Sequence, residues 1–177
     1  DQTLESFLAD TLHVIGERTQ GALILVGSSM GGWVMLLAAL ELNARVAGIV
    51  GIAAAPDFTR WGFTPEQVAQ FERGETVYEA NEYGPEPTPT TAAFWRSGEA
   101  NLLLDGPIAI DCPVRLLHGQ CDADVPHPIS LKLAAALRSD DVQTVLVKNG
   151  DHRLSRESDL RLLAATVDRL YEDIAAS

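Results

Sequence analysis

A glycine-framed turn at residues 27–31, set between two apolar segments, constrains the fold of this chain more than any other feature. The five residues before the turn, Ala22 to Val26, are all apolar, which predicts a buried strand. The segment after it, residues 33–40, is rich in alanine and leucine and is long enough for a buried helix. A buried strand that passes directly into a buried helix is typical of proteins with a parallel sheet. The turn therefore predicts an α/β fold.

Ser29 lies at the centre of this turn in the pattern Gly-x-Ser-x-Gly, which makes it a candidate nucleophile. A serine at a sharp strand-to-helix turn is held in a strained backbone conformation, so the residues two before and two after it must be nearly free of side chains. The new helix points its first amides at negative charge that develops beside the serine, and the backbone amide of Met30 is the candidate oxyanion donor. Ser28 is the alternative nucleophile, but its flanking residues Val26 and Met30 are not small.

A serine nucleophile needs a base and an acid that orients the base, and both follow later in the chain. Residues 113–118 form a predicted buried strand that leads into a loop with Asp122 and Asp124. Residues 142–148 form another predicted strand, and the loop after it contains His152. Because the carboxyl ends of parallel strands meet at one edge of the sheet, we expect these side chains to lie near the serine. The position in the loop leaves both aspartates open as the acid.

The rest of the chain alternates between strands and helices. Strands are predicted near 22–27, 46–53, 113–118 and 142–148, and helices near 3–18, 31–42, 127–138 and 156–175. Short connections between buried strands and helices predict a doubly wound parallel sheet. The first helix is amphipathic, with Asp1 or Thr3 as its cap.

Residues 54–110 are too long for an ordinary crossover, and we expect them to form a lid between core segments at 1–53 and 111–177. This insertion contains six of the nine prolines and eight of the eleven aromatic residues. Aromatic side chains in a lid either line an apolar acyl or aryl pocket or pack the lid onto the body. The candidates for substrate contact are Trp61, Phe63, Phe94 and Trp95.

Composition excludes several classes of partner. A net charge of −12 and a pI near 4.6 disfavour binding to nucleic acid or to anionic membranes. No apolar run reaches transmembrane length, and no cluster of residues has the spacing of metal ligands. Serine-based chemistry requires no cofactor. We therefore expect no nucleic acid, no membrane span and no metal, whereas the oligomeric state stays open.

Three groups of residues resemble one branch of the α/β-hydrolase superfamily, the branch of palmitoyl-protein thioesterases and acyl-glucuronide esterases with its bacterial relatives. They are Gly-Ser-Ser-Met-Gly-Gly-Trp at 27–33, Cys-Pro-Val-Arg-Leu-Leu-His-Gly at 112–119 with Asp122 and Val125-Pro126, and Gly-Asp-His-Arg at 150–153. The resemblance spans most of the chain, including Glu82-Tyr83-Gly84 and residues 102–108. It implies that Ser29 is the nucleophile, His152 the base and Asp122, from its spacing after His118-Gly119, the acid.

The resemblance also implies an activity, which is hydrolysis of thioesters or carboxylic esters through an acyl-enzyme, with a small-molecule or acylated-protein substrate. Two alternatives stay open: a non-catalytic binding protein or inactive fragment of the same fold, and a proline-releasing aminopeptidase. A bacterial member would be cytoplasmic, and a eukaryotic member would be mitochondrial. Members of the family have several strands before the nucleophile, which carry the loop of the second oxyanion donor. Because Ser29 comes so early, we expect this chain to be the carboxyl-terminal part of a hydrolase that lacks those strands.

Overall fold

The computed structural model describes residues 2–80 and 84–176, and its centre is a four-stranded parallel sheet. The strands are β1 (Leu23–Ser28), β2 (Val46–Ile52), β3 (Val77–Glu79), β4 (Thr88–Thr90), β5 (Val114–Gly119) and β6 (Val142–Val147). The parallel sheet has the order β1-β2-β5-β6, and β3 pairs with β4 as a separate antiparallel ribbon. The predicted parallel α/β fold is therefore confirmed, with every strand of the sheet close to its predicted bounds.

Helices cover both faces of this sheet. The α-helices of the described residues are α1 (Leu4–Arg18), α2 (Met30–Leu42), α3 (Phe58–Trp61), α4 (Pro65–Glu72), α5 (Ala92–Ala100), α6 (Pro128–Ala136) and α7 (Glu157–Ala175), of which α2, α6 and α7 pack on the sheet. On one face, Leu36 of α2 and Leu133 of α6 pack with Ile49 of β2 in the main core. On the other face, α7 lies so close to β2 that a side chain at Gly48 would stand 2.8 Å from Ile174. Because neighbouring residues of a strand point to opposite faces, this arrangement is doubly wound.

α1 packs on α2 rather than on the sheet. Its cap is Thr3, whose hydroxyl accepts the Ser6 N–H at 3.1 Å in a capping box, while Asp1 lies outside the described residues. Leu4 is fully buried in a cluster with Trp33 and with Phe94 of α5. α1 therefore fills the space between α2 and the insertion.

The segment predicted as a lid, residues 54–110, contains α3, α4, β3, β4 and α5, and both of its ends pack into the main core. Ala54 at one end and Leu104 and Ile108 at the other belong to the same core cluster as the sheet. Asp57 joins the two ends, because its carboxylate accepts the backbone N–H groups of Leu103 at 2.8 Å and Leu104 at 2.7 Å. Both ends of the predicted insertion are therefore joined to each other and to the core, and Glu82 and Tyr83 within it lie outside the described residues.

Candidate active site

Ser29 occupies the turn between β1 and α2 with φ of 53° and ψ of −128°. A positive φ is uncommon for a residue other than glycine, and it persists only where the surroundings hold it. Here the end of β2 and the loop after it hold Ser29 in place. The Ser29 N–H donates to the Ile52 carbonyl at 3.0 Å, and the Ser29 carbonyl accepts the Ala55 N–H at 3.0 Å. Met30 begins α2, so its N–H is among the first amides of a helix, which have no partner within the helix.

Close packing around the turn requires glycine at two positions. A side-chain carbon at Gly27 would lie 2.6 Å from the carbonyl oxygen of Gly31, and one at Gly32 would lie 2.5 Å from Cβ of Ala54. The expectation for Gly31 is contradicted, because a carbon there would meet nothing within 4 Å. The reason is that Gly31 lines an open groove beside β1.

The three predicted site residues meet at the carboxyl edge of the sheet. Nε2 of His152 lies 3.1 Å from Oγ of Ser29, and Nδ1 of the same ring lies 2.9 Å from Oδ2 of Asp122. The Asp122 side chain is completely buried and that of His152 is 15% exposed. This sequence of hydroxyl, imidazole and carboxylate has the connectivity of a serine-hydrolase triad.

The geometry also separates the two candidate acids. Oδ1 of Asp122 accepts the backbone N–H groups of Asp124 at 2.9 Å and Val125 at 2.8 Å, which leaves Oδ2 to face His152. Asp124 lines a cavity beside the serine. One atom from each of Asp122, Asp124 and His152 lies within 4.8 Å of the others, a spacing that a metal ion could bridge. Two of these three residues already bind each other, so the group belongs to the triad geometry.

A close contact between Gly119 and Gly150, which no sequence pattern predicts, brings the loops of Asp122 and His152 together. Gly119 ends β5 and Gly150 follows β6, and a side-chain carbon at Gly119 would collide with the carbonyl of Gly150. The contact is closed by a hydrogen bond from the Cys121 N–H to the Gly150 carbonyl at 2.9 Å. The available signal was a glycine at or shortly after the end of each strand, three residues before Asp122 and two before His152.

Two cavities adjoin the serine turn, and Met30 and Phe58 line both of them. The larger, of about 520 Å³, lies beside the β3–β4 ribbon and is lined by Phe94 among other residues. The smaller, of about 170 Å³, is lined by Ser29 and Trp61. The other two aromatic candidates, Phe63 and Trp95, pack against Phe71 in a separate apolar cluster.

The chain matches the alpha/beta hydrolase family over residues 1–171 and belongs to it. It is 34% identical over 179 residues to human palmitoyl-protein thioesterase ABHD10, mitochondrial, and the match covers 99% of this chain and 58% of that protein. The mouse counterpart is 37% identical over 179 residues, with 98% and 60% covered. The chain therefore spans less than two thirds of the length of these curated relatives.

Solved structures agree with this assignment. A crystal structure from Agrobacterium vitis S4 superposes with a TM-score of 0.89 at 39% identity, covering 96% of this chain and 69% of that one. The structure of mouse alpha/beta hydrolase domain-containing protein 10 gives a TM-score of 0.88 at 35% identity, covering 98% and 71%. Over residues 2–80 and 84–176, no helix has the length and apolar character needed to cross a membrane.

Proposed function

We propose that this protein hydrolyses thioesters or carboxylic esters with an apolar acyl group through an acyl-enzyme on Ser29. The observation that carries the proposal is the unbroken contact from Ser29 to His152 at 3.1 Å and from His152 to Asp122 at 2.9 Å. Membership of a hydrolase family and similarity to palmitoyl-protein thioesterases support the same activity. For a eukaryotic protein, the mitochondrial relatives favour a mitochondrial location.

In this mechanism His152 removes the proton from Ser29 as the oxygen attacks the carbonyl carbon. Asp122 holds the imidazole in the required tautomer and stabilises the imidazolium. The Met30 N–H donates to the oxyanion of the tetrahedral intermediate. His152 then protonates the leaving thiol or alcohol, and it next activates the water that hydrolyses the acyl-enzyme. Because side chains carry every proton, the reaction needs no cofactor.

The two cavities suit the two halves of such a substrate. Apolar walls that include Phe7 and Phe94 make the larger cavity the proposed site for the acyl group. The smaller cavity, which contains the serine, Trp61 and Asp124, would take the leaving group, either a small molecule or part of an acylated protein. The insertion at 54–110 would act as the lid, because Pro89 and Thr90 of β4 form part of the larger cavity.

Substitution of Ser29→Ala tests the proposal. We expect the variant to lose both nitrophenyl-ester hydrolysis and labelling by a fluorophosphonate probe, with an unchanged circular dichroism spectrum. Turnover that survives in the variant would contradict the nucleophile. Absence of labelling in the unsubstituted protein would favour a non-catalytic binding protein or an inactive fragment.

A second candidate, a proline-releasing aminopeptidase, is favoured by one observation. Glu79 lines the larger cavity, where its carboxylate could bind a substrate amine. A panel that compares acyl esters with prolyl amides decides between the two activities. Faster release from prolyl amides, lost on Glu79→Gln, would support the aminopeptidase.

A further inference from the structure

A second histidine lies against the triad acid. His118, on β5, is completely buried, and its Nε2 lies 3.1 Å from Oδ2 of Asp122, the oxygen that also faces His152. The same Nε2 lies 2.9 Å from the carbonyl oxygen of Val125. On the other side of the ring, Nδ1 lies 2.6 Å from Oγ of Ser130 on α6, and Ser130 is buried as well.

These partners fix where the proton of His118 lies. A carboxylate oxygen and a carbonyl oxygen can only accept, so Nε2 carries the hydrogen. It donates this hydrogen to the Val125 carbonyl, and Oδ2 of Asp122 lies 3.1 Å from the same nitrogen. The Ser130 hydroxyl can donate, so it supplies the hydrogen bond to Nδ1. Burial lowers the pKa of His118, which outweighs the opposing effect of Val125 and Asp122 and favours this neutral tautomer.

The consequence is a carboxylate whose two oxygens are both held. Oδ1 of Asp122 accepts the N–H groups of Asp124 and Val125, and Oδ2 lies between His118 and His152. The Nε2–H of His118 also donates to the carbonyl of Val125 and so fixes the loop that carries Asp122. A rotation of the carboxylate away from His152 would therefore break contacts that no water can replace in this buried place.

We propose that His118 is a positioning residue for the hydrolytic reaction: its Nε2–H binds Val125 in the loop that carries Asp122 and lies against Oδ2 of Asp122, which in turn orients His152. The inference rests on the proposed function. It extends the triad into a chain of four side chains that runs from Ser29 through His152 and Asp122 to His118. His118 itself touches neither the substrate nor the attacking oxygen.

Two neutral amide substitutions separate the role of each ring nitrogen. In His118→Gln, the side-chain amide reaches the position of Nε2 and keeps a donor towards Asp122. In His118→Asn, the amide reaches only the position of Nδ1, so it keeps the Ser130 contact and loses that donor. Ser130→Ala is the third variant, because it removes the Nδ1 partner and leaves Nε2 in place.

The full chain and each variant are assayed with a nitrophenyl ester, and rates are normalised to active sites titrated with the fluorophosphonate probe. We expect kcat of His118→Asn to fall about tenfold to hundredfold, the usual effect of losing a hydrogen bond to a charged group, while KM stays nearly constant. His118→Gln and Ser130→Ala should stay within about threefold of the unsubstituted protein. The downfield NMR signal of the His152 Nδ1–H should shift in His118→Asn and return in His118→Gln.

Equal losses in His118→Gln and His118→Asn, or no loss in either, would overturn the inference. So would a loss in Ser130→Ala as large as that in His118→Asn. If His118→Gln does not fold, the comparison of Ser130→Ala with His118→Asn still decides. If His118→Asn does not fold, a loss in His118→Gln well beyond threefold overturns the inference, and a nearly unchanged His118→Gln with an unshifted His152 Nδ1–H signal supports it. Ser29→Ala is measured in parallel: if it retains turnover, the proposed function fails, whereas an inactive Ser29→Ala with an unaffected His118→Asn refutes only the role of His118.

Discussion

On the side of Ser29 that faces β5 and β6, buried hydrogen bonds fix each polar group, whereas on the side that faces β1 the surroundings are open. Asp122 and His118 have no exposed side-chain surface. In the described part of the chain, β1 pairs only with β2, Val26 on it is 50% exposed, and a groove of about 350 Å³ runs between it and α1. The groups that would activate the serine are therefore complete within this chain, while Met30 is the single amide we assign to the oxyanion.

The largest expected loss of activity comes from a substitution of Asp122, on the buried side of Ser29. Asp122→Asn keeps the shape of the side chain but removes the charge and favours the wrong imidazole tautomer. By analogy with the same change in a serine protease, we expect a loss of about 10⁴ in kcat. Steady-state hydrolysis of a nitrophenyl ester measures it.

Asp124→Asn is the matched control for that substitution, because Asp124 lies in the same loop and its side chain lines the smaller cavity instead. We expect a far smaller loss of kcat than in Asp122→Asn, because Asp124 lies at the leaving-group cavity whereas His152 is hydrogen-bonded to Asp122. A larger loss in Asp124→Asn than in Asp122→Asn would reverse the assignment of the acid.

A smaller effect is expected where the two loops touch. In Gly119→Ala the new methyl group would meet the backbone of Gly150 and the carbonyl oxygen of Asp151, so the loop that carries His152 must move. A displacement of about 1 Å at catalytic groups costs on the order of 10²-fold in rate. Gly106→Ala is the control, since a side chain there meets nothing within 4 Å. Equal activity of the two variants would show that the glycine contact does not set the geometry.

The sequence predicted much of the buried side of Ser29, which faces β5 and β6, and little of the side that faces β1. Strand endings and the order of Ser29, Asp122 and His152 predicted which residues meet, because parallel strands direct their carboxyl ends to one edge. The predicted buried strand at 113–118 included His118, but the sequence did not predict its partners, since a contact across a loop leaves no periodic pattern. At Gly31 the prediction was wrong. The motif predicted no room for a side chain there, but the available space depends on which residues lie beside β1.

The free energies of unfolding of Gly27→Ala and Gly31→Ala test whether the space beside Gly31 is open. Gly27→Ala places a methyl group against the Gly31 carbonyl and Met35, and overpacking of this kind costs about 1–3 kcal/mol. Gly31→Ala places one in open space within α2, where alanine is favoured over glycine by about 1 kcal/mol. Chemical denaturation should therefore give free energies of unfolding that change in opposite directions. A loss of stability in both variants would mean that the space beside Gly31 is filled in solution.

The smallest effect concerns the free edge of β1. A strand with unpaired backbone groups on one side recruits other chains, and apolar side chains strengthen the tendency. β1 has the sequence Leu-Ile-Leu-Val-Gly-Ser, whereas the opposite edge strand, β6, carries Gln143 and Thr144. We therefore expect residues 1–177 to associate reversibly through β1, with a sedimentation coefficient that rises with protein concentration.

Val26→Lys should shift this equilibrium towards the monomer, because a charge on an edge strand opposes pairing. Val145→Lys, on β6 at a position 40% exposed, is the matched control and should leave association unchanged. A monomer at every concentration, or the same shift from both lysine substitutions, would contradict an open and adhesive β1 edge.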